Sequence, residues 1–70
     1  MKMVKYTEIY DYIKNKILND EYKAGEKLPS ENELTSLFAV SRNTVRRALN
    51  QLSFEGLVAS VHGKGVFVLE

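Results

Sequence analysis

The chain has 70 residues, of which 31 (44%) are hydrophobic, 19 (27%) are charged and none is cysteine. That length fits one small domain, which takes only about 60% of its unfolded surface out of water, and without cysteine neither a disulfide nor a thiolate zinc site adds stability. Four Tyr, three Phe and eighteen Val, Ile and Leu argue against disorder, and the longest apolar runs, residues 37–40 and 66–69, are too short for a bilayer span or a secretory h-region, so a cytoplasmic protein is expected.

Tyr6, Ile9, Tyr10, Ile13 and Ile17 recur at i, i+3, i+4, i+7, i+11, one stripe of an amphipathic helix over residues 6–19. Tyr12 and Tyr22 fall outside that stripe and are expected to be exposed. A polar stretch with Gly25 leads to Leu28-Pro29-Ser30-Glu31-Asn32-Glu33, in which Ser30 and Glu33 have the spacing of a capping box. A second, short helix over 31–38 follows, with Leu34, Leu37 and Phe38 as its apolar face. Ser41 is a further N-cap after about three residues of turn. The third helix, over 42–55, has Val45, Ala48, Leu49 and Leu52 as its stripe and Gly56 at its C-terminal cap. The period then changes from 3.6 to 2, and β-rich runs on either side of a four-residue loop, His62-Gly63-Lys64-Gly65, predict a hairpin over 57–69.

The net charge of +1 hides an uneven distribution: residues 1–40 balance to −1 and residues 41–70 to +2. All three arginines lie between positions 42 and 47. A short capped helix, a tight turn and a longer helix make a helix-turn-helix, whose second helix presents its N-terminal residues to base edges in the major groove. Arg42 and Arg46 suit bidentate bonding to guanine, Ser41 and Thr44 are phosphate donors, and the helix N-terminus itself favours an anion. The hairpin adds a wing whose loop carries Lys64 between two glycines, suited to the phosphates or the adjacent minor groove.

Three ordered blocks, Leu28-Pro29-Ser30-Glu31-Asn32-Glu33-Leu34, Val40-Ser41-Arg42-Asn43-Thr44-Val45-Arg46-Arg47-Ala48-Leu49, and Glu55-Gly56-Leu57 with Gly63-Lys64-Gly65-Val66-Phe67-Val68, resemble the GntR family of bacterial transcription regulators, and the first block most resembles its HutC-like branch. The resemblance implies a small α+β winged helix-turn-helix with a third short strand near Lys27 and Leu28. It also implies double-stranded DNA as partner, a two-fold operator bound by a homodimer, and control by a small-molecule effector through a separate domain. On that basis the 70 residues are expected to be the DNA-binding part of a metabolite-responsive repressor, monomeric alone and nucleoid-associated when bound.

Position by position, the family's base-reading arginines match Arg42 and Arg46, and its phosphate contacts match Ser41, Asn43 and Thr44. Contacts at the start of helix 2 match Glu31 and Asn32, the wing tip matches His62 and Gly63, and Lys5 matches a basic residue ahead of helix 1. Ala39 stands in the turn where the family often has Gly, which implies a positive φ at a residue with a Cβ.

Several residues also have plain structural readings. Glu31 is a favourable first-turn acid as well as a candidate cytosine acceptor, Ser30 and Ser41 are caps before they are contacts, and Arg47 reads as a solvated helix residue. One His with no Cys supplies no metal site and no nucleophile with its base, so neither an enzyme nor a cofactor is expected. The rival reading is a winged helix used for protein contact, which salt titration of duplex binding separates from a DNA binder.

Overall fold

A computed structural model of the protein describes residues 6–69, in the order α1 (Tyr6–Leu18), α2 (Glu31–Phe38), α3 (Arg42–Phe54), β1 (Val58–Val61) and β2 (Gly65–Val68). The first and third helices each stop one residue short of the sequence-based boundary. Asp20 lies just beyond α1 at φ 62°, and Lys16 O accepts from both Glu21 N and Tyr22 N as the chain turns away. Glu55 caps α3, and Gly56, at φ 80°, lets Gly56 N donate to Ser53 O and Leu57 N to Leu52 O, the paired bonds of a Schellman motif.

α2 begins with the expected capping box. Glu33 N donates to Ser30 Oγ at 3.1 Å and Ser30 N to Glu33 Oε1 at 2.8 Å, so two donors at the helix start are satisfied reciprocally. The helix ends at Ala39, whose φ of 54° and ψ of 49° are left-handed, as the turn position implies. Its N–H closes the last i→i−4 bond of the helix to Thr35 O, and the left-handed reversal lets Val40 N donate to the same carbonyl at 3.2 Å.

Ile9 and Ile13 of α1, Leu34 of α2, Val45, Ala48, Leu49 and Leu52 of α3, and Leu28, Val58 and Val68 from the sheet side make up the core. Leu37 departs from the expected stripe and is 60% exposed. In an eight-residue helix that packs along one line, Leu34 and its i+4 neighbour Phe38 take the buried side, and Leu37 is left on the shoulder. Tyr12 and Tyr22 differ from expectation in the other direction: both are half-buried against the core. Tyr12 meets Phe38 edge to face at 5.2 Å between centroids, so the docking of α2 covers a flank of α1 that periodicity alone leaves open.

The strands pair antiparallel with Val58 opposite Val68 and Val61 opposite Gly65. The connecting turn therefore has three residues, 62–64, and not four. Lys64 N donates to Val61 O at 2.9 Å, and the positive φ of 77° at Gly63 is what the third position of a type II turn requires. Lys27 bridges Phe67 as the expected short third strand. Leu28 N donates to Val66 O at 2.8 Å and Val68 N to Glu26 O at 2.9 Å, which locks this segment to the free side of β2 and buries Leu28. Three helices with a two-stranded wing make this a small α+β winged helix-turn-helix.

Candidate nucleic-acid interface

The start of α3 is organised by Ser41, whose extended backbone and side chain close the helix end. Thr44 N donates to Ser41 Oγ at 3.3 Å, and the two hydroxyls lie 3.0 Å apart. With Val45, Ala48, Leu49 and Leu52 buried, the helical period turns Arg42, Asn43, Arg46, Arg47 and Asn50 outward, and all five are exposed.

The structure brings four of the candidate residues together in two pairs. Arg42 Nη2 donates to Asn32 Oδ1 at 2.6 Å. Arg46 Nε donates to both carboxylate oxygens of Glu31, at 3.3 and 3.2 Å. Each pair joins the start of α2 to the start of α3, so the two helices of the motif are tied across the turn by the side chains expected to read bases. The pairs leave most of each guanidinium uncommitted. Arg46 keeps both terminal nitrogens, and Arg42 keeps Nε and Nη1, without partners among the described residues. A planar fork held at one nitrogen and open at the others is oriented before its ligand arrives, which lowers the ordering cost of binding.

The wing supplies the second part of the surface. His62, Gly63 and Lys64 are exposed at its tip. A cleft runs from there to the start of α2, with Lys27, Ser30, Glu31, His62 and Lys64 in its walls. A second groove, between α3 and the sheet, is lined by Arg46, Asn50 and Ser53 and shares Glu31, Ser60 and Val66 with the first. Asn43 is exposed and makes no side-chain hydrogen bond among the described residues. Lys5 lies outside the described residues.

Arg47 is exposed, as the solvated reading expects, and its guanidinium carbon also sits 4.3 Å from the Tyr6 ring centroid on α1. Asn50 and Ser60 were not singled out as site residues in the sequence. Asn50 follows Arg46 at i+4 and so shares its face, a signal that periodicity contains. Ser60 and Lys27 have no comparable signal, because the pairing of distant strands places them.

Among the described residues no group of His, Asp and Glu is arranged to hold a metal ion, and no helix is long and apolar enough to cross a membrane.

Comparison with known proteins agrees with this architecture. The family described as bacterial regulatory proteins, gntR family, matches residues 5–68. The HTH-type transcriptional regulator TreR of Bacillus subtilis (strain 168) is 45% identical over 69 residues, covering 99% of this chain and 29% of TreR. The mannosyl-D-glycerate transport/metabolism system repressor MngR of Escherichia coli (strain K12) is 43% identical over 65 residues, covering 93% of this chain and 27% of MngR. The chain thus spans less than a third of the length of these curated relatives. The crystal structure of the AraR DNA-binding domain in complex with operator ORR3 superposes with a TM-score of 0.90 at 38% identity, over 97% of this chain and 82% of that one. The agreement runs through the capped turn, the arginine-bearing helix and the wing, and the chain belongs to the gntR family of bacterial regulatory proteins.

Proposed function

We propose that this chain is a sequence-specific double-stranded DNA-binding domain for transcription regulation. The observation that carries the reading is the pair of exposed arginines, Arg42 and Arg46, oriented from α2 at the capped start of α3 with guanidinium nitrogens still free. The operator complex of the AraR domain, which shares this fold at 38% identity, supports it.

In this reading α3 enters the major groove, where Arg42 and Arg46 donate to guanine O6 and N7. Ser41, Asn43 and Thr44 contact the phosphates beside it, Glu31 and Asn32 fix the arginines and line the same groove, and His62, Gly63 and Lys64 address the neighbouring minor groove. Lys5 adds a backbone contact ahead of α1. α1 and the apolar side of α2, through Ile9, Ile13 and Leu34, hold the angle of α3.

One module with few cationic contacts binds duplex weakly, with nonspecific dissociation constants of about 10⁻⁴ to 10⁻⁶ M at physiological salt. Two copies on a two-fold operator make the second contact intramolecular and raise avidity by roughly 10² to 10⁴. The proposal therefore includes a two-fold site with two copies bound and, as in the HutC-like branch that the Pro29-Ser30-Glu31-Asn32-Glu33-Leu34 block resembles, repression on the chromosome in the cytoplasm relieved by a small-molecule effector.

Selection from a random duplex pool tests the core of this reading. The expected result is an enriched sequence with inverted half-sites, bound with steep salt dependence. A pool that stays unenriched, with binding insensitive to salt, rejects the DNA reading and favours a protein-contact module.

A further inference from the structure

We propose that Lys27 is a further DNA-backbone contact, held at the base of the wing by the absence of a side chain at Gly65; the inference rests on the DNA reading above. Lys27 lies in the loop between α1 and α2, and nothing in its sequence neighbourhood marks it as a binding residue. The fold places it opposite Phe67 on β2. Side chains alternate along β2, with Val68 turned into the core, so Phe67 and Gly65 face the other side and Lys27 shares that side with them. The Lys27 stem then runs diagonally across Gly65. A Cβ built at Gly65 would lie 2.8 Å from Lys27 Cε, inside any real contact distance, so the aliphatic stem occupies the space that a side chain at position 65 would fill. Gly65 also has a φ of 126°, a conformation that glycine alone adopts readily.

The charged end of Lys27 has no hydrogen-bond or ion-pair partner among the described residues. Its surroundings are cationic and open. Lys27 and Lys64 both border the cleft between the wing and the start of α2, and the one carboxylate in its wall, Glu31, is engaged by Arg46. One sugar-phosphate strand separates a major groove from the adjacent minor groove. With α3 in the first and the wing tip in the second, that strand must cross the surface between them, and this cleft is that surface. Two ammonium groups bordering the same cleft match a run of phosphates passing through. Lys27 makes a sequence-independent contact, because it faces the backbone and not a base edge.

The test measures the affinity of the 70-residue chain for the selected duplex as a function of salt. Lys27→Ala should flatten the slope of log K against log salt by about one unit, leave the order of preferred sequences unchanged, and leave the thermal midpoint unaltered because the group is exposed. Lys27→Arg should restore the wild-type slope. Lys14→Ala removes the same charge from a side chain bonded to Tyr10, which in turn reaches Glu55 at the other end of α3, on the order of 20 Å from Ser41 for a helix of this length. It should keep the wild-type slope. A Lys27→Ala slope equal to wild type, or a loss confined to one base position, overturns the inference while the DNA reading stands. A wild-type chain that binds duplex without salt dependence overturns both.

Discussion

At the Ser41 end of α3, charged side chains are tied by contacts open to solvent, each through one guanidinium nitrogen: Arg42 to Asn32, and Arg46 to Glu31, the last two with side chains 57% and 33% exposed. At the Phe54 end they are woven into α1. Glu55 accepts from the Tyr10 hydroxyl and, at 2.9 Å, from Gln51 Nε2, and Lys14 donates to Tyr10 at 3.2 Å. One network crosses between the two helices of the motif, and the other fastens the far end of α3 to α1. Exposed ion pairs contribute about 0 to 1 kcal/mol each, so the first set adds little stability and is easily re-partnered. The difference teaches that α3 is anchored at one end while the other offers incompletely bonded groups.

The largest expected effect comes from cutting the anchor itself. Leu52 is fully buried on the core side of α3 near the anchored end, and Leu52→Ala should cost about 2 to 5 kcal/mol. Chemical denaturation would show this as a lower midpoint, and a domain as small as this one should be largely unfolded by it. A loss under 1 kcal/mol would mean that the anchored end is held by its surface network and not by the core.

Next come Arg42 and Arg46, the proposed base readers, whose removal should leave stability alone. Arg42→Ala or Arg46→Ala should each cost about 1 to 3 kcal/mol in specific duplex binding and relax preference at one base position. The thermal midpoint should hardly move. A large drop in midpoint with unaltered preference would reverse the comparison and make the Ser41 end structural.

The turn between α2 and α3 offers a gain. Ala39 sits at φ 54°, where a Cβ is disfavoured, so Ala39→Gly should raise stability by about 0.4 to 1 kcal/mol, net of the unfolded-state freedom that glycine adds. A lower denaturation midpoint for the glycine variant would show that this turn carries no strain.

The smallest effect is a pH dependence at the anchored end. The hydrogen bond from Tyr10, then that from Gln51, holds the Glu55 carboxyl below its ordinary value of 4.5. A carboxylate with a lowered folded value stabilises the fold above the ordinary value and loses that contribution as pH falls through the folded one. The hydrogen bond to Tyr10 is likewise the main cause raising Lys14 above 10.5, so its contribution is complete below that value and lost as pH rises through the higher folded one. Melting curves taken from pH 7 down to pH 3 should therefore fall more steeply for the wild type than for Glu55→Gln. Parallel profiles would remove Glu55 from the anchor.

Much of this was legible residue by residue. The Ser30 and Glu33 capping box, the Ser41 cap, the left-handed Ala39, the buried stripe of α3 and the two strands all appear where spacing or resemblance puts them, because each depends on bonds within a few positions. Leu37, Tyr12 and Tyr22 did not follow, since the edge of a buried stripe depends on the angle at which neighbouring helices dock. The wing turn is one residue tighter than its glycines suggest, because the pairing of Val61 with Gly65 takes the second glycine into the strand.

The sequence by itself determined which segments become helices and strands, which face of α3 turns outward, and that all three arginines fall between positions 42 and 47. Only the tertiary structure decided what those side chains meet. Glu31 and Arg46 are 15 positions apart, Asn32 and Arg42 are 10, and Tyr10 and Glu55 are 45; Lys27 finds Gly65 through a bridge between the loop after α1 and the last strand. Such meetings are set by how amphipathic faces close around one shared core. Local periodicity states that each face exists, while packing alone fixes which residues stand opposite one another.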